Sequence, residues 1–201
     1  MKLLTMVLSC KKHQHLWPAI LERNIPDLFI LCGSDQTKLD GRVLYLKCID
    51  TYDGLSEKIM AAYEYLLKYD FTHILKADDH DTQFSLDDIQ NIHLNYNEIL
   101  NSKDYIGQSI ISPSQLGRID HSGKIPKESI WYNKRYDGPG ISYHGGGETY
   151  ILSKHAVELI VQSKNEYVNY GRLEDVMVGS ILLKHNIYPF QLNYGIKTWI
   201  G

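Results

Sequence analysis

The sequence predicts an α/β fold in which a mostly parallel, twisted central sheet is flanked by helices. Short apolar runs of strand length alternate with helix-like stretches through the first hundred residues, and strands separated by helices usually pair in parallel. An acidic cluster, Asp78–Asp81, directly follows one of these apolar runs, and ligands of such sheets bind at the carboxyl ends of the strands. No linker-like or repetitive segment divides the chain, so we expect a single domain over residues 1–201.

Each element has its own local signal. Leu16–Arg23 carries Pro18 in its first turn, where a missing N–H costs little. Leu55–Tyr69 has the clearest apolar stripe at helical spacing, and Ser85 can cap a helix that continues to about Leu100. We predict strands at Leu3–Ser9, Asp27–Cys32, Val43–Cys48, Thr72–Ala77, Tyr150–Leu152 and near Tyr188–Leu192. We predict helices at Leu16–Arg23, Leu55–Tyr69, Ser85–Leu100, Ser153–Ser163 and Glu174–His185.

The composition excludes several classes of protein. The chain has 21 Lys and Arg against 24 Asp and Glu, a net charge of -3, which argues against a nucleic-acid-binding protein. The longest apolar runs fall far short of the ~20 residues that cross a bilayer, and the apolar N-terminal run has no cleavage site behind it. No N-x-S/T acceptor sequence occurs. We therefore expect a cytoplasmic protein without a membrane span, with its cysteines reduced.

The cluster Asp78–Asp81 places three carboxylates and one imidazole next to one another. Carboxylates ligate hard divalent cations, and manganese also accepts imidazole. Because alternate residues of an extended segment point to the same side, two ligand sets are open: Asp79 with Asp81, or Asp78 with His80. The alternative without a metal is a solvated acidic turn that caps the next helix.

Two further segments could carry chemistry. Glu174 and Asp175 open a predicted helix. A carboxylate there can take a proton from a hydroxyl nucleophile, although acidic residues in a first turn also simply favour the helix dipole. The glycines Gly145–Gly147 suit a close approach of a ligand to the backbone, with a flexible surface loop as the alternative, and they do not match a phosphate-binding loop. The scattered histidines, including His13, are expected to be ordinary surface or core residues.

Five segments, taken in order, resemble those of the β-1,3-galactosyltransferase and Fringe-like glycosyltransferases. The first, Asp50–Lys58, is similar to their D-x-Y-x-N-L-x-x-K stretch, with Gly54 in place of Asn. The second, His73–His80, resembles a strand that ends in K-T-D-D-D. The others are Lys127–Tyr132, similar to a K-W-Y segment, Tyr143–Ser153, similar to Y-x-S-G-G-G-Y-V-L-S, and Leu173–Gly179, similar to L-E-D-V-x-V-G.

The resemblance implies a GT-A (nucleotide-diphospho-sugar transferase) fold, a nucleotide-sugar donor, usually a UDP-sugar, a glycan or glycoconjugate acceptor, and inversion at the anomeric carbon. It implies that Asp175 is the base that deprotonates the acceptor hydroxyl and that Glu174 supports the site. Bound Mn2+ (or Mg2+) is implied at Asp79, His80 and Asp81. The implied donor-binding residues are Ser9, Asp50, Lys58, Lys76, Asp78, Gly145, Gly146 and Gly147. The residues implied to contact the donor sugar or the acceptor are Trp131, Tyr132 and His144.

Three departures from the family pattern bear on function. His80 stands at the family's third acidic position, with Asp81 one residue further on, so the set of metal ligands stays open. The family often supplies another ligand from a histidine near its C-terminal end, but no histidine follows His185; water or a longer parent chain would then complete the metal shell. The lack of an anchor is more typical of compact enzymes from large DNA viruses or bacteria.

The alternative functions are a metal-dependent nucleotide-sugar phosphohydrolase and a non-catalytic nucleotide-sugar or glycan-binding module.

Overall fold

The computed structural model describes residues 1–80, 82–111, 124–135, 140–165 and 173–198. Its strands are β1 (Leu3–Leu8), β2 (Leu28–Ser34), β3 (Lys38–Asp40), β4 (Val43–Lys47), β5 (His73–Asp78), β6 (Thr82–Gln83), β7 (Tyr105–Gly107), β8 (Tyr150–Ser153), β9 (Phe190–Gln191) and β10 (Lys197–Thr198). Its α-helices are α1 (Trp17–Leu21), α2 (Leu55–Leu66), α3 (Leu86–Asn95), α4 (Asn97–Ser102), α5 (Lys154–Gln162) and α6 (Glu174–Lys184).

The described residues form a central sheet of eight strands in the order β3-β4-β2-β1-β5-β8-β7-β9. Strands β4, β2, β1 and β5 run parallel to one another, whereas β3 and β8 pair antiparallel to their neighbours in this parallel block. Strands β6 and β10 form a separate antiparallel pair. The predicted α/β architecture with a mostly parallel sheet is confirmed.

Helices cover both faces of the sheet because the parallel strands are apolar on both sides. In β1, Leu4 and Met6 belong to the core under α2, α5 and α6, whereas Leu3 and Val7 belong to the core under α1, α3 and α4. All six residues of β1 are buried, as expected for a parallel strand covered on both faces. None of the helices in the described part of the chain combines the length and the apolar character that a membrane crossing requires.

The structure differs from the sequence prediction mainly in short elements. The helix predicted from Ser85 to Leu100 is two helices, because the backbone of Tyr96 leaves the helical region at φ -122° and ψ 7°. Ser85 does cap α3, through a reciprocal capping box with Asp88. Strands β3, β6, β7 and β10 have two or three residues each, too few to show a period in the sequence.

The pairing of β1 with β5 brings the predicted site residues together. Leu8 lies opposite Asp78 in the ladder, and the N–H of Asp79 donates to the carbonyl of Leu8 at 3.1 Å. Because the two strands are parallel, their carboxyl ends share one edge of the sheet. Ser9, the residue after β1, is therefore a neighbour of the acidic cluster.

Candidate active site

The carboxyl ends of β1 and β5 meet around Asp79, whose side chain is only 4% exposed. Its Oδ2 accepts a hydrogen bond from Ser9 Oγ at 2.7 Å and lies 2.8 Å from Nδ1 of His13. Its Oδ1 lies 3.0 Å from Nδ1 of His80. Burial alone would raise the pKa of Asp79, but the hydrogen bonds to its two oxygens, led by that from Ser9, outweigh burial and hold the pKa below its usual range. Asp79 is therefore a carboxylate at neutral pH.

This cluster has the donor chemistry of a divalent-metal centre. One potential ligand atom from each of His13, Asp79 and His80 lies within 4.8 Å of the other two. Carboxylate and imidazole are ligands that Mn2+ accepts. The indole Nε1 of Trp17 donates to Ser9 Oγ at 2.8 Å, and because this hydroxyl donates to Asp79 in turn, the carboxylate has a fixed orientation, as is usual around metal ligands. The residues present fit a divalent cation.

A second group of predicted residues adjoins Ser9. Lys58 in α2 is 1% exposed, and its ammonium donates to the backbone carbonyl of Ser9 at 2.8 Å and to Asp50 Oδ1 at 2.6 Å. Asp50 also accepts from the backbone N–H groups of Gly33 and Lys11, each at 2.7 Å. A Cβ at Gly33 would lie 2.7 Å from the Cβ of Asp50, so this contact requires glycine. The network joins the ends of β1 and β2 to α2.

An open cleft with a volume of about 1090 Å³ lies along these strand ends. Its lining includes three lysines and three acidic residues, Lys11, Lys38, Lys47, Asp35, Asp50 and Glu57, together with Trp17 and Tyr45, whose ring centroids are 6.3 Å apart. The ammonium of Lys38 lies 5.1 Å from the centre of the Tyr45 ring. Flat rings and cations in one concave surface suit a ligand that combines an aromatic base with phosphate groups.

The acidic strand end and the start of α6 meet at Lys76, which is fully buried in β5. Its ammonium donates to Asp78 Oδ1 at 2.6 Å, lies 3.3 Å from Glu174 Oε1 and donates to the carbonyl of Gly146. The pKa of Lys76 lies above its usual range because the attraction of these two carboxylates outweighs burial. One cation thus holds together β5, α6 and the glycine segment.

Glu174 is the most strongly perturbed carboxyl group of this arrangement. Burial raises its pKa to about 8, with Lys76 opposing the effect and the nearby Asp175 and Asp78 adding to it. Its Oε2 is buried and makes no hydrogen bond within the described residues. A Cβ at Gly146 would lie 2.7 Å from Glu174 Oε1, so the glycine segment approaches this carboxyl group as closely as packing allows.

Asp175, the predicted base, is held by two backbone donors. Its Oδ2 accepts from the N–H of Gly146 at 3.0 Å, and its Oδ1 accepts from the N–H of Val176 at 2.8 Å. Gly146 and Gly147 form a turn that is closed by a hydrogen bond from the N–H of Glu148 to the carbonyl of Gly145 at 3.2 Å. The glycines and the helix start are thus in direct contact, as the close-approach interpretation of the glycines requires.

His144 is fully buried, unlike Trp131 and Tyr132, with which the resemblance groups it as a contact of the sugar. Its Nδ1 is hydrogen bonded to the carbonyl of Ser109, and its ring centroid is 4.5 Å from that of Tyr105. Burial lowers its pKa, so the imidazole is neutral and Nδ1 is the donor. Nε2 is then a buried acceptor with no hydrogen bond within the described residues.

Trp131 and Tyr132 are half-buried on the segment of residues 124–135. This segment lies over the start of α2, where Ser129 hydrogen bonds to Asp53 and lowers its pKa against the opposing effect of burial. The ammonium of Lys134 lies 4.9 Å from the centre of the Trp131 ring. In the part of the chain that the structure describes, no hydrogen bond or ring contact joins these two rings to Asp79 or Asp175.

The acidic cluster does not continue as the extended segment on which the two expected ligand sets were based. Strand β5 ends at Asp78, and Asp79 and His80 lie in a turn, so adjacent residues converge and Asp78 turns to Lys76 instead. Asp81 lies outside the described residues. Sequence analysis predicted no contact between His13, expected as an ordinary surface or core residue, and Asp79, which lies 2.8 Å from it. The signal for this contact was position, because His13 closely follows β1, whose end adjoins the acidic cluster.

Two solved structures are similar to this chain over 96% of its length. CMP:2-keto-3-deoxy-manno-octonic acid synthetase complexed with CTP is 9% identical, with 90% of its chain covered and a TM-score of 0.47. The bifunctional IspDF from Campylobacter jejuni is 12% identical, with 50% of its chain covered and a TM-score of 0.49. Neither is similar enough to inform the chemistry of this chain. No curated protein matches it in sequence.

A family model described as galactosyltransferase matches residues 34–193. The matched region contains all five segments that carry the resemblance to β-1,3-galactosyltransferases and confirms that resemblance. It also contains the acidic strand end, the glycine turn and the start of α6. The chain therefore belongs to the galactosyltransferase family.

Proposed function

We propose that this glycosyltransferase is a metal-dependent, inverting enzyme that moves a sugar from a UDP-sugar to a hydroxyl group of a glycan or glycoconjugate. The family supports transfer from a nucleotide sugar to a glycan. The observation that carries the rest is the bridge at Lys76, whose ammonium contacts both Asp78, beside the cation-binding cluster, and Glu174, beside Asp175. A cation site and a base would then share one edge of the sheet.

The cleft beside β1, β2 and β4 would take the nucleotide. The partly buried ring of Tyr45 would contact the base, and the lysines of the cleft would offer charge to the diphosphate. Ser9, Lys58 and Asp50 would act as one unit, because their hydrogen bonds hold the floor of this cleft in place.

Asp79 and His80 would hold the cation, either Mn2+ or Mg2+, with Asp81 as a further candidate. When bound, the cation neutralises the charge that develops on the leaving diphosphate. The protein's own part is orientation: Ser9 and its partner Trp17 keep the Asp79 carboxylate in one position. Asp78 would lie near the donor, fixed by Lys76.

Asp175 would accept the proton of the acceptor hydroxyl. As that proton moves to the carboxylate, the hydroxyl oxygen forms a bond to the anomeric carbon and the bond from that carbon to the diphosphate oxygen breaks, so the nucleoside diphosphate leaves with the bonding pair. One displacement from the face opposite the leaving group inverts the anomeric centre, and a single base suffices. The N–H groups of Gly146 and Val176 orient the carboxylate for this step.

The remaining predicted residues would shape the sugar pocket. The turn at Gly145–Gly147 would let the donor sugar approach the backbone closely. Trp131 and Tyr132 would cover the apolar face of a sugar ring and exclude water as a competing acceptor. His144 is fully buried, so it would support the residues of this pocket and would not contact the sugar itself.

Nucleotide release from a panel of UDP-sugars, measured with acceptor and Mn2+ and again with a chelator, tests the proposal. Asp175→Asn should lower kcat by about 10²–10⁴-fold, the usual contribution of a general base, with little change in donor affinity. Asp70→Asn is the matched control, because that carboxylate is 91% exposed and pairs only weakly with Lys2 at 3.4 Å.

Three outcomes would contradict parts of the proposal. Nucleotide release that persists in chelator would contradict the metal dependence. Loss of donor binding in Asp175→Asn would show that Asp175 is a ligand of the donor and not the base. Rapid and complete turnover without any acceptor would favour a phosphohydrolase that acts on nucleotide sugars.

A further inference from the structure

We infer that His13 is a ligand of the divalent cation, so that the centre consists of two imidazoles and one carboxylate: His13, His80 and Asp79. This inference rests on the proposed metal dependence and adds to it a ligand from the segment after β1. Nδ1 of His13 lies 2.8 Å from Asp79 Oδ2, and the three potential ligand atoms lie within 4.8 Å of one another. The rings of His13 and His80 are adjacent, with centroids 5.2 Å apart.

The position of His13 is set by the structure around it. His13 lies in a short 3-10 helix, Lys11–Leu16, that is separated from β1 by two residues. The start of this helix is held to Asp50, which accepts from the N–H of Lys11 at 2.7 Å. Its other end runs into Trp17, which is buried and donates to Ser9. His13 is therefore held over Asp79 from both sides.

The environment of Asp79 also resembles that of a metal ligand more than that of a simple ion pair. Its Oδ2 accepts from the hydroxyl of Ser9, which in turn accepts from Trp17. Such a chain of donors behind a carboxylate fixes the direction of its lone pairs. Asp79 is 4% exposed, while His13 and His80 are 31% and 55% exposed. The carboxylate is therefore buried, whereas the two imidazoles can be reached from solvent.

Two imidazoles have a consequence for the choice of metal. Mg2+ is bound through oxygen and keeps several waters, whereas imidazole suits softer transition metals, and Mn2+, although it also favours oxygen, accepts imidazole more readily than Mg2+ does. A centre built on His13, His80 and Asp79 should therefore prefer Mn2+ over Mg2+. Replacement of His13 by an oxygen ligand should reduce that preference.

The test is Mn2+ binding by the full chain without nucleotide, followed by the electron paramagnetic resonance signal of the free ion. His13→Gln should weaken binding at least tenfold, about the smallest loss seen when only a supporting residue of a metal site is removed. It should also remove one of two imidazole nitrogen couplings in the electron-spin-echo spectrum. His15→Gln is the matched control: His15 lies on the same short helix and is exposed, with its ring 6.5 Å from that of His13. His13→Asp should bind Mg2+, measured by competition, more tightly than the wild type does.

The outcomes separate this inference from the proposed function. If His13→Gln binds Mn2+ like the wild type and keeps both nitrogen couplings, His13 is only a partner of Asp79 and the inference fails, while metal dependence stands. If the wild type binds no Mn2+ and releases nucleotide in chelator, the inference and the metal dependence both fail. Far-UV circular dichroism of each variant excludes unfolding as the cause of lost binding.

Discussion

The variant Lys76→Met removes a buried ammonium and keeps a side chain of similar length. Lys76 is fully buried, 2.6 Å from Asp78 Oδ1 and 3.3 Å from Glu174 Oε1, and it donates to the carbonyl of Gly146. Methionine can fill most of the same space, so the change in the free energy of unfolding reports chiefly the charge and its hydrogen bonds.

The size of the loss depends on whether Glu174 is ionised. Above about pH 8.5 Glu174 is ionised, and removal of one partner from a buried ion pair costs about 3–5 kcal/mol. Glu174 is 4% exposed, whereas Asp78 is 19% exposed and keeps some hydration. Near pH 6 Glu174 is protonated, and the loss falls to the charged hydrogen bond with Asp78, about 1.5–3 kcal/mol.

Linkage determines the sign of this pH dependence. In Lys76→Met the cation that opposes the effect of burial is gone, so the pKa of Glu174 in the folded state rises further above its value in the unfolded chain. A carboxyl group of this kind binds protons preferentially in the folded state, so its contribution to stability is present at low pH and is lost as the pH rises. Below about pH 7 Glu174 is protonated in both folded proteins and the deficit should stay constant, whereas it should grow toward about pH 9, where only the wild type has ionised Glu174.

Urea unfolding followed by far-UV circular dichroism measures the loss at each pH. The matched control is Lys164→Met, which breaks a pair with Glu64 at 2.8 Å whose side chains are 49% and 53% exposed; exposed pairs contribute about 0–1 kcal/mol. A loss in Lys76→Met no larger than in this control at about pH 9, or a deficit that shrinks as the pH rises, would refute the assignment of Lys76 as the bridge.

Two further predictions concern the same contact. Because burial raises the folded-state pKa of Glu174 to about 8, the unfolding free energy of the wild type should fall by up to about 1.4 kcal/mol per pH unit between about pH 5 and pH 8; urea titrations should find this slope missing in Glu174→Gln. Gly146→Ala should cost about 1–3 kcal/mol, since the new Cβ would lie 2.7 Å from Glu174 Oε1, whereas Gly145→Ala meets the flexible end of Ile111 at 2.9 Å and should cost less. Equal melting temperatures for the two alanine variants would contradict the close approach at Gly146.

Much of the fold could be predicted because its long elements are periodic. The six residues of β1 are all apolar or small, and α2 has an apolar stripe that the structure buries. The short strands could not be predicted, because two or three residues carry no period. The break at Tyr96 could not either, since the sequence there has neither proline nor glycine.

Candidate site residues could be predicted where they stand in a local sequence pattern or in a segment that resembles the family. They could not be predicted where their position depends on the order of the strands. Asp79, Glu174 and Asp175 each stand in a recognisable segment. His13 does not: its contact with Asp79 spans 66 residues of sequence and exists because β1 and β5 are neighbours with their carboxyl ends aligned. The two ligand sets expected for Asp78–Asp81 likewise assumed an extended strand, whereas Asp79 and His80 lie in a turn.

The charges of the site bear on why the proposed cation would lie at Asp79 in particular. The two buried lysines each join a carboxylate to a backbone carbonyl, Lys58 through Asp50 and Lys76 through Asp78. Among the described residues, Asp79 makes no ion pair with lysine or arginine, and its partners include the imidazoles of His13 and His80. Hydrogen bonds already hold this carboxylate in its ionised form, so both of its oxygens keep the charge that a divalent ion would bind. The same ion would stand where a nucleotide in the adjoining cleft extends its diphosphate, so Asp79 lies where the proposed reaction would need positive charge.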